Sequence, residues 1–343
     1  MGVIVTAALE LGRKALRWHG PLMLFAAAMA VLTVVAAVGL AVDDRVIAGA
    51  PAWAKPLKFS ISFVVYAVTW AWMLTFQRRA RRWGWWAGTA IAVAGVVEMI
   101  AIVGQVVRGT RSHFNVETSF DNMVFQLMGV TISVLLVGHF VLAAILLAGR
   151  YGDRATASAV RLGMVISAVG LGLGGLMLSP TAEQIAAGER DDVVRTTIGA
   201  HSVGVPDGGQ GILFVNWSTE GGDLRIPHFI GMHALQILPL VAMVLAVAAA
   251  RSPRLHVAVR VQLVRIAAAG YSGLVALVTW QALRGQPLIR PDGWTLAAFA
   301  ALVAVVVVAT ALALRGSPPN PDNSTAGTGI AASETPIKEG IPR

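Results

Sequence analysis

RIPHFIGMHALQILPLVAMVLAVAAA, residues 225–250, is the stretch whose reading decides the fold. From Gln236 onward it holds no charge. At about 1.5 Å of rise per residue, a helical run of this length crosses a hydrocarbon core roughly 30 Å thick. Its first half is different, with Arg225, His228, His233 and Gln236 inside twelve residues. The pattern predicts a membrane helix that opens at one end onto a polar site.

The rest of the chain repeats the apolar part of this pattern. Of 343 residues, 56% are hydrophobic and 13% charged, and the mean hydropathy is +0.69. A soluble domain carries about 25% charged residues. Eight spans are expected, at 21–42, 57–76, 84–107, 123–148, 157–179, 228–250, 260–283 and 294–315. The fold class is therefore an all-α polytopic membrane bundle in one transmembrane domain, 21–315. A short amphipathic segment, 1–20, precedes it. A tail, 316–343, rich in Pro, Ser, Thr, Asn and Gly, has too little apolar surface to order itself. No internal repeat is evident. The first span is too long for a signal peptide and has no cleavage site before Asp43, so it is expected to stay as a helix.

The net charge of +9 would suit a nucleic-acid binder, but its distribution does not. The segments at one face of the expected bundle hold thirteen basic residues and two acids; the loops at the other hold ten and twelve. By the positive-inside rule the basic face is cytoplasmic, which puts both termini inside and the long loop 180–227 outside. The charge is a topology signal, and no nucleic-acid partner is expected. Arginine outnumbers lysine 23 to 4, and Ala, Val and Gly abound, as in a GC-rich bacterial genome. The expected location is a bacterial inner (plasma) membrane. Cysteine is absent, which excludes disulfides, thiolate metal sites and cysteine nucleophiles. The glycine-rich run 170–175 lies in an apolar span and reads as close helix packing, not a phosphate loop. In the long loop, ILFVNW (212–217) is expected to form a short strand of a folded lid.

Polar residues inside the spans cluster toward the outer side. From the helical rise, Glu98 lies about 14 Å deep, Gln105 about 3 Å, His233 about 7 Å and Gln236 about 12 Å. A carboxylate near mid-bilayer costs several kcal/mol unless protonated, paired or wetted, so Glu98 is the sharpest single signal and the candidate catalytic group. Glu98 and Gln105 are seven apart and share a helix face; His233 and Gln236 are three apart and adjacent. His228 and His233 are five apart and can share a ligand only if His228 precedes the regular helix. The loop after the third span adds Arg108, His113, Asn115 and Asp121, and the second span begins with Lys58. The candidate ligand-binding residues are Lys58, Gln105, Arg108, Asn115 and Gln236. The candidate metal ligands are His113, His228, His233 and Asp121. Together they suggest an outward-facing pocket for a metal or for a small-molecule or lipid ligand entering from the outer side.

Three functional classes fit. A metal-dependent membrane enzyme would use histidines and a carboxylate to hold zinc. A redox protein would hold haem b or a quinone, but His139 and His233 sit at different depths and cannot share an iron. A transporter or receptor without chemistry is the third class; the lack of a broken helix pair and of a repeat weighs against a transporter.

Overall fold

The computed structural model describes residues 18–188, apart from Arg78 and Arg150, and residues 196–315. The expectations for the tail 316–343 and for most of the segment 1–20 lie outside the described residues. Ten α-helices are described: α1 Gly20–Val42, α2 Ala54–Leu74, α3 Arg81–Val107, α4 Ser119–Leu147, α5 Arg154–Leu173, α6 Ala182–Gly188, α7 Arg225–Met232, α8 Ala234–Ala249, α9 Val257–Leu283 and α10 Gly293–Arg315. Seven are long and apolar enough to cross a membrane by themselves, and α7 with α8, bent by 42° at His233, makes an eighth when the pair counts as one span. Helices stand at all eight expected spans, with ends within about four residues except in the fifth, where α5 ends at Leu173 and not at 179.

The helix starts that extend beyond the apolar windows have local causes. Thr118 accepts the Asp121 N–H at the head of α4, and Asp153 accepts the Thr156 N–H at the head of α5. Each satisfies one of the amide donors that a helix N-terminus leaves free. Proline at the first turn of α7 costs no helix bond, so the helix begins at Arg225 and includes His228. The expectation that His228 could precede the helix is thereby corrected. Two small hairpins cap the loop end of the bundle: β1 Val46–Ile47 with β2 Ala50–Pro51, and β3 Ser202–Val203 with β4 Gly222–Asp223. Residues 212–217 do not form the expected strand. They make a tight turn closed by a single bridge between Gly211 and Ser218, with Phe214 and Asn216 at φ +67° and +52°.

The packing corrects one further expectation. α1 packs on α2 and α3, α2 on α3, and α3 on α4. The second half repeats this order: α5 packs on α7–α8 and α9, α7–α8 on α9, and α9 on α10. The halves meet along α4 against α5 and α2 against α8. The packing order of the second half thus repeats that of the first, with the bent α7–α8 pair in the place of α2, and short sequence echoes mark the repeat. Ala37-Val38-Gly39-Leu40 recurs as Ala168-Val169-Gly170-Leu171, and each glycine faces the next span of its own half, Trp53 or Gly231. Arg45 closes on Asp43 through its amide and guanidinium at 2.7–3.2 Å; Arg225 closes on Asp223 through the same atoms at 2.6–3.2 Å. Gln105-Val-Val-Arg108-Gly109 at the end of α3 recurs as Gln281-Ala-Leu-Arg284-Gly285 at the end of α9, with both glycines left-handed at φ +76° and +70°. The partners are 131 residues apart at the glycines of α1 and α5 but 176 apart at the glutamines, because the long loop intervenes in the second half alone. A search for one fixed period cannot find such a repeat.

Candidate functional site

Glu98 has no exposed surface. It faces α4, where Thr131 Oγ lies 2.7 Å from its Oε2. The Thr131 hydroxyl also lies 2.9 Å from the Met128 carbonyl. One hydroxyl proton cannot serve two acceptors at full strength. The Thr131 hydroxyl is therefore shared between Glu98 Oε2 and the Met128 carbonyl. Among the described residues, Glu98 Oε1 has no hydrogen-bond partner; it lies 3.7 Å from His113 Nε2. Gln236, at a similar expected depth, is bonded to His233 Nδ1 at 3.1 Å and not to Glu98.

His113 sits on the loop between α3 and α4, over Glu98. Its Nδ1 meets Ser112 Oγ at 3.2 Å, and its ring stands edge-on to Phe59 of α2 with centroids 6.0 Å apart. Burial holds the imidazole well below its ordinary pKa, and the nearby charges of Lys55 and His201 push the same way, so His113 is neutral at pH 7. Lys55, in the first turn of α2, is within electrostatic reach of Glu98, and its ammonium lies 5.8 Å from the Phe59 ring centroid. Glu98 of α3 and His113 of the loop therefore meet below the loop end of the bundle, with Phe59 of α2 set between His113 and Lys55.

The long loop covers them. Ile198 N–H donates to Phe114 O, Val116 N–H to Thr196 O and Leu224 N–H to His201 O, which ties the loop to residues 114–116 and closes its own base. Asp207 accepts from the His201 and Ser202 amides and from the His201 ring. Burial alone would raise the Asp207 pKa, but these donors and the His201 charge hold it well below the usual carboxylate range. The expectation of a folded lid holds for the described part of the loop. His201 in turn packs on Phe114, ring centroids 4.8 Å apart.

The remaining sequence candidates divide by what they touch. Asp121 accepts from Gln105 Nε2 at 2.8 Å, Arg108 Nη1 at 2.5 Å and Thr118 Oγ at 2.6 Å. Its acceptor positions are occupied, so Gln105, Arg108 and Asp121 form a clamp between α3 and α4. Asn115 is also consumed by its own loop, donating to Thr110 and Arg111 and accepting from Glu117 N–H. Lys58 donates to Val215 O at 2.7 Å and holds the lid turn. His228 Nδ1 meets Gly170 O at 2.8 Å, an α7–α5 contact in the second half. His233 stands at the break between α7 and α8 against the Phe229 ring, with its Nε2 buried and unpartnered. Glu98 and His113 are thus brought together. Asp121 is tied into its own clamp, and His228, His233 and Gln236 are bonded within α5, α7 and α8. Among the described residues, no three His, Asp and Glu side chains gather in a way that could hold a metal ion.

Sequence reasoning read Lys55 as an interfacial anchor and passed over Thr131, His201 and Asp207. Thr131 was findable, since its depth on the fourth span matches that of Glu98 on the third. His201 and Asp207 were not, because loop residues carry no periodicity to place them. No protein family, curated protein or solved structure was found to match the chain.

Proposed function

We propose that the protein is a multi-pass carrier of the bacterial plasma membrane, with both termini cytoplasmic. It takes up a small polar solute from the outer side at a site floored by Glu98, walled by His113 and Lys55, and covered by the lid. The observation that carries this reading is the Glu98–His113 pair: a buried carboxyl with one free oxygen, 3.7 Å from a neutral imidazole, in a chain otherwise economical with intramembrane charge. A solute with a donor for Glu98 and an acceptor for Lys55 matches the groups present, and displacement of the lid would admit it. Two features favour carriage over chemistry. The two halves of the bundle repeat one packing order, and the α7–α8 pair is broken beside the unpartnered nitrogen of His233. Both belong to transporter architecture.

A second reading keeps zinc. Two ligand bonds of about 2 Å each would let Glu98 and His113 bracket one ion. The ammonium of Lys55 opposes a cation there.

The test is solid-supported-membrane electrophysiology on proteoliposomes of the full chain, with jumps of zwitterionic amino acids and of mono- and dicarboxylates. A solute-dependent current is expected, lost in Glu98→Gln and in His113→Ala. No current with any solute, together with stoichiometric zinc by elemental analysis or a haem absorption band, would return the protein to the metal or redox class.

A further inference from the structure

The turn at 212–217 carries the two most exposed large apolar side chains of the described part of the lid. Leu213 is 78% exposed and Phe214 72%. A lid that only covered a solute site would turn such groups inward. Nor is their presentation accidental to a floppy tip. Asn216 N–H bonds Ile212 O at 2.7 Å, and Ile212 N–H bonds Trp217 O at 2.8 Å. Phe214 itself has φ +67°, a conformation that glycine adopts freely and a bulky residue does not. The phenyl group is retained where the backbone would favour its loss.

Three attachments fix the height and direction of the turn. Lys58, on the second turn of α2, donates to Val215 O at 2.7 Å. Arg225, the first residue of α7, donates to Asn216 O at 2.5 Å. Trp217 packs on Phe229, one turn further along α7, with ring centroids 5.9 Å apart. All three hold the turn to the ends of spans, where hydrocarbon gives way to headgroups. The spans also say which way it faces. Ile61 and Val65, three and seven residues beyond Lys58 on the same helix face, are 47% and 39% exposed in the bundle, so this stripe of α2 faces lipid. Phe229 is 39% exposed likewise. Residues 211–219 contain no charge, and Trp217 is of the type that favours the membrane interface.

We infer that Leu213 and Phe214 insert into the outer leaflet, so that lipid anchors the lid of the site. The occupant is the bilayer itself, at the boundary of headgroups and acyl chains, as for other interfacial apolar segments. This inference does not depend on what the site carries.

The chain has no cysteine, so single labels report cleanly. Nitroxide at Phe214→Cys and, separately, at Leu213→Cys is measured in phosphatidylcholine–phosphatidylglycerol proteoliposomes by power-saturation EPR, with oxygen and a nickel chelate as relaxants. Leu240→Cys, lipid-facing on α8, and Glu220→Cys, exposed on the lid, set the two ends of the scale. The expected result is an oxygen-to-nickel accessibility ratio at 213 and 214 several-fold above that at 220 and close to that at 240. A ratio equal to that at 220 overturns the inference. So does a short label-to-label distance between molecules, which would make the turn a contact between two copies of the chain.

Discussion

Thr131→Val is the most telling perturbation of the site, because its effect depends on what the Glu98 carboxyl is doing. Valine fills nearly the volume of threonine, so no cavity opens. What is lost is the only hydrogen-bond partner of a carboxyl with no exposed surface. An unsatisfied buried polar group costs about 1–3 kcal/mol. Interhelical hydrogen bonds in membranes fall toward the lower end of that range, about 0.6 on average and up to 1.7 kcal/mol. The expected loss is therefore about 1 kcal/mol, roughly fivefold in the unfolding equilibrium. Glu98→Leu should behave in the opposite manner. Thr131 keeps the Met128 carbonyl as acceptor, nothing polar is left stranded, and stability should stay level or rise. The double variant should match Glu98→Leu, with a coupling energy of about 1 kcal/mol. Equilibrium unfolding in mixed micelles of dodecyl maltoside and dodecyl sulfate reads all four corners of the cycle. If Thr131→Val is silent and Glu98→Leu strongly destabilises, Glu98 has another partner, and its burial is structural.

Three further outcomes are expected. Gln210→Cys should react with an impermeant maleimide in intact cells and Arg254→Cys should not; the reverse pattern would invert the topology. His113 and His201 are both held below the ordinary imidazole pKa by burial, so the unfolded chain binds more protons once pH falls below about 6.5. The contribution of these two histidines to stability should then be constant above pH 7 and decline as pH falls through 6.5, with a shallower decline below pH 7 in His113→Gln; an unchanged slope there in that variant would mean His113 is not buried. A methyl at Gly170 would sit 2.2 Å from backbone atoms of Gly231 and Met232, so Gly170→Ala should cost about 1–3 kcal/mol, whereas Gly104→Ala, which meets nothing, should be neutral or stabilising. Equal effects of the two would refute the close α5–α7 packing.

The spans were legible because a bilayer allows few alternatives: about twenty apolar residues must form a helix. Depth was legible too, which is how Glu98 was found beside a polar cluster. Facing was not. Asp121 and His113 lie eight residues apart at one rim, yet one belongs to a clamp with Gln105 and the other points at Glu98. That choice is made by the path of the 108–118 loop, including Phe114 at φ +59°, which no hydrophobic period encodes. The 212–217 turn misled for a related reason. Its β-prone composition reflects where its side chains point, while its backbone is set by Lys58 and Arg225 from two distant helices.

The repeat separates two kinds of polar residue that composition alone treats alike. A clamp that serves the fold should recur in both halves, and two do. Asp43 with Arg45 is matched by Asp223 with Arg225, whereas Gln105 bonds Arg108 and Asp121 and Gln281 bonds the Pro287 carbonyl. In the first half Arg108 pairs with Asp121 in the first turn of α4; in the second Arg284 pairs with Asp292 just before α10. These pairs close the same loop ends of the same helices, and they account for much of the rim charge that first suggested a site. Glu98 has no such partner. The register that sets Gln105 opposite Gln281 sets Glu98 opposite Leu274 in the corresponding span, and residues 284–292 contain no histidine to match His113. Leu274 shows that the frame folds with an apolar group at this position. An acid held there, fully buried and with one oxygen unpaired, is not what the architecture requires, and the work that retains it is to be sought in the half that carries Glu98, His113 and Lys55 together.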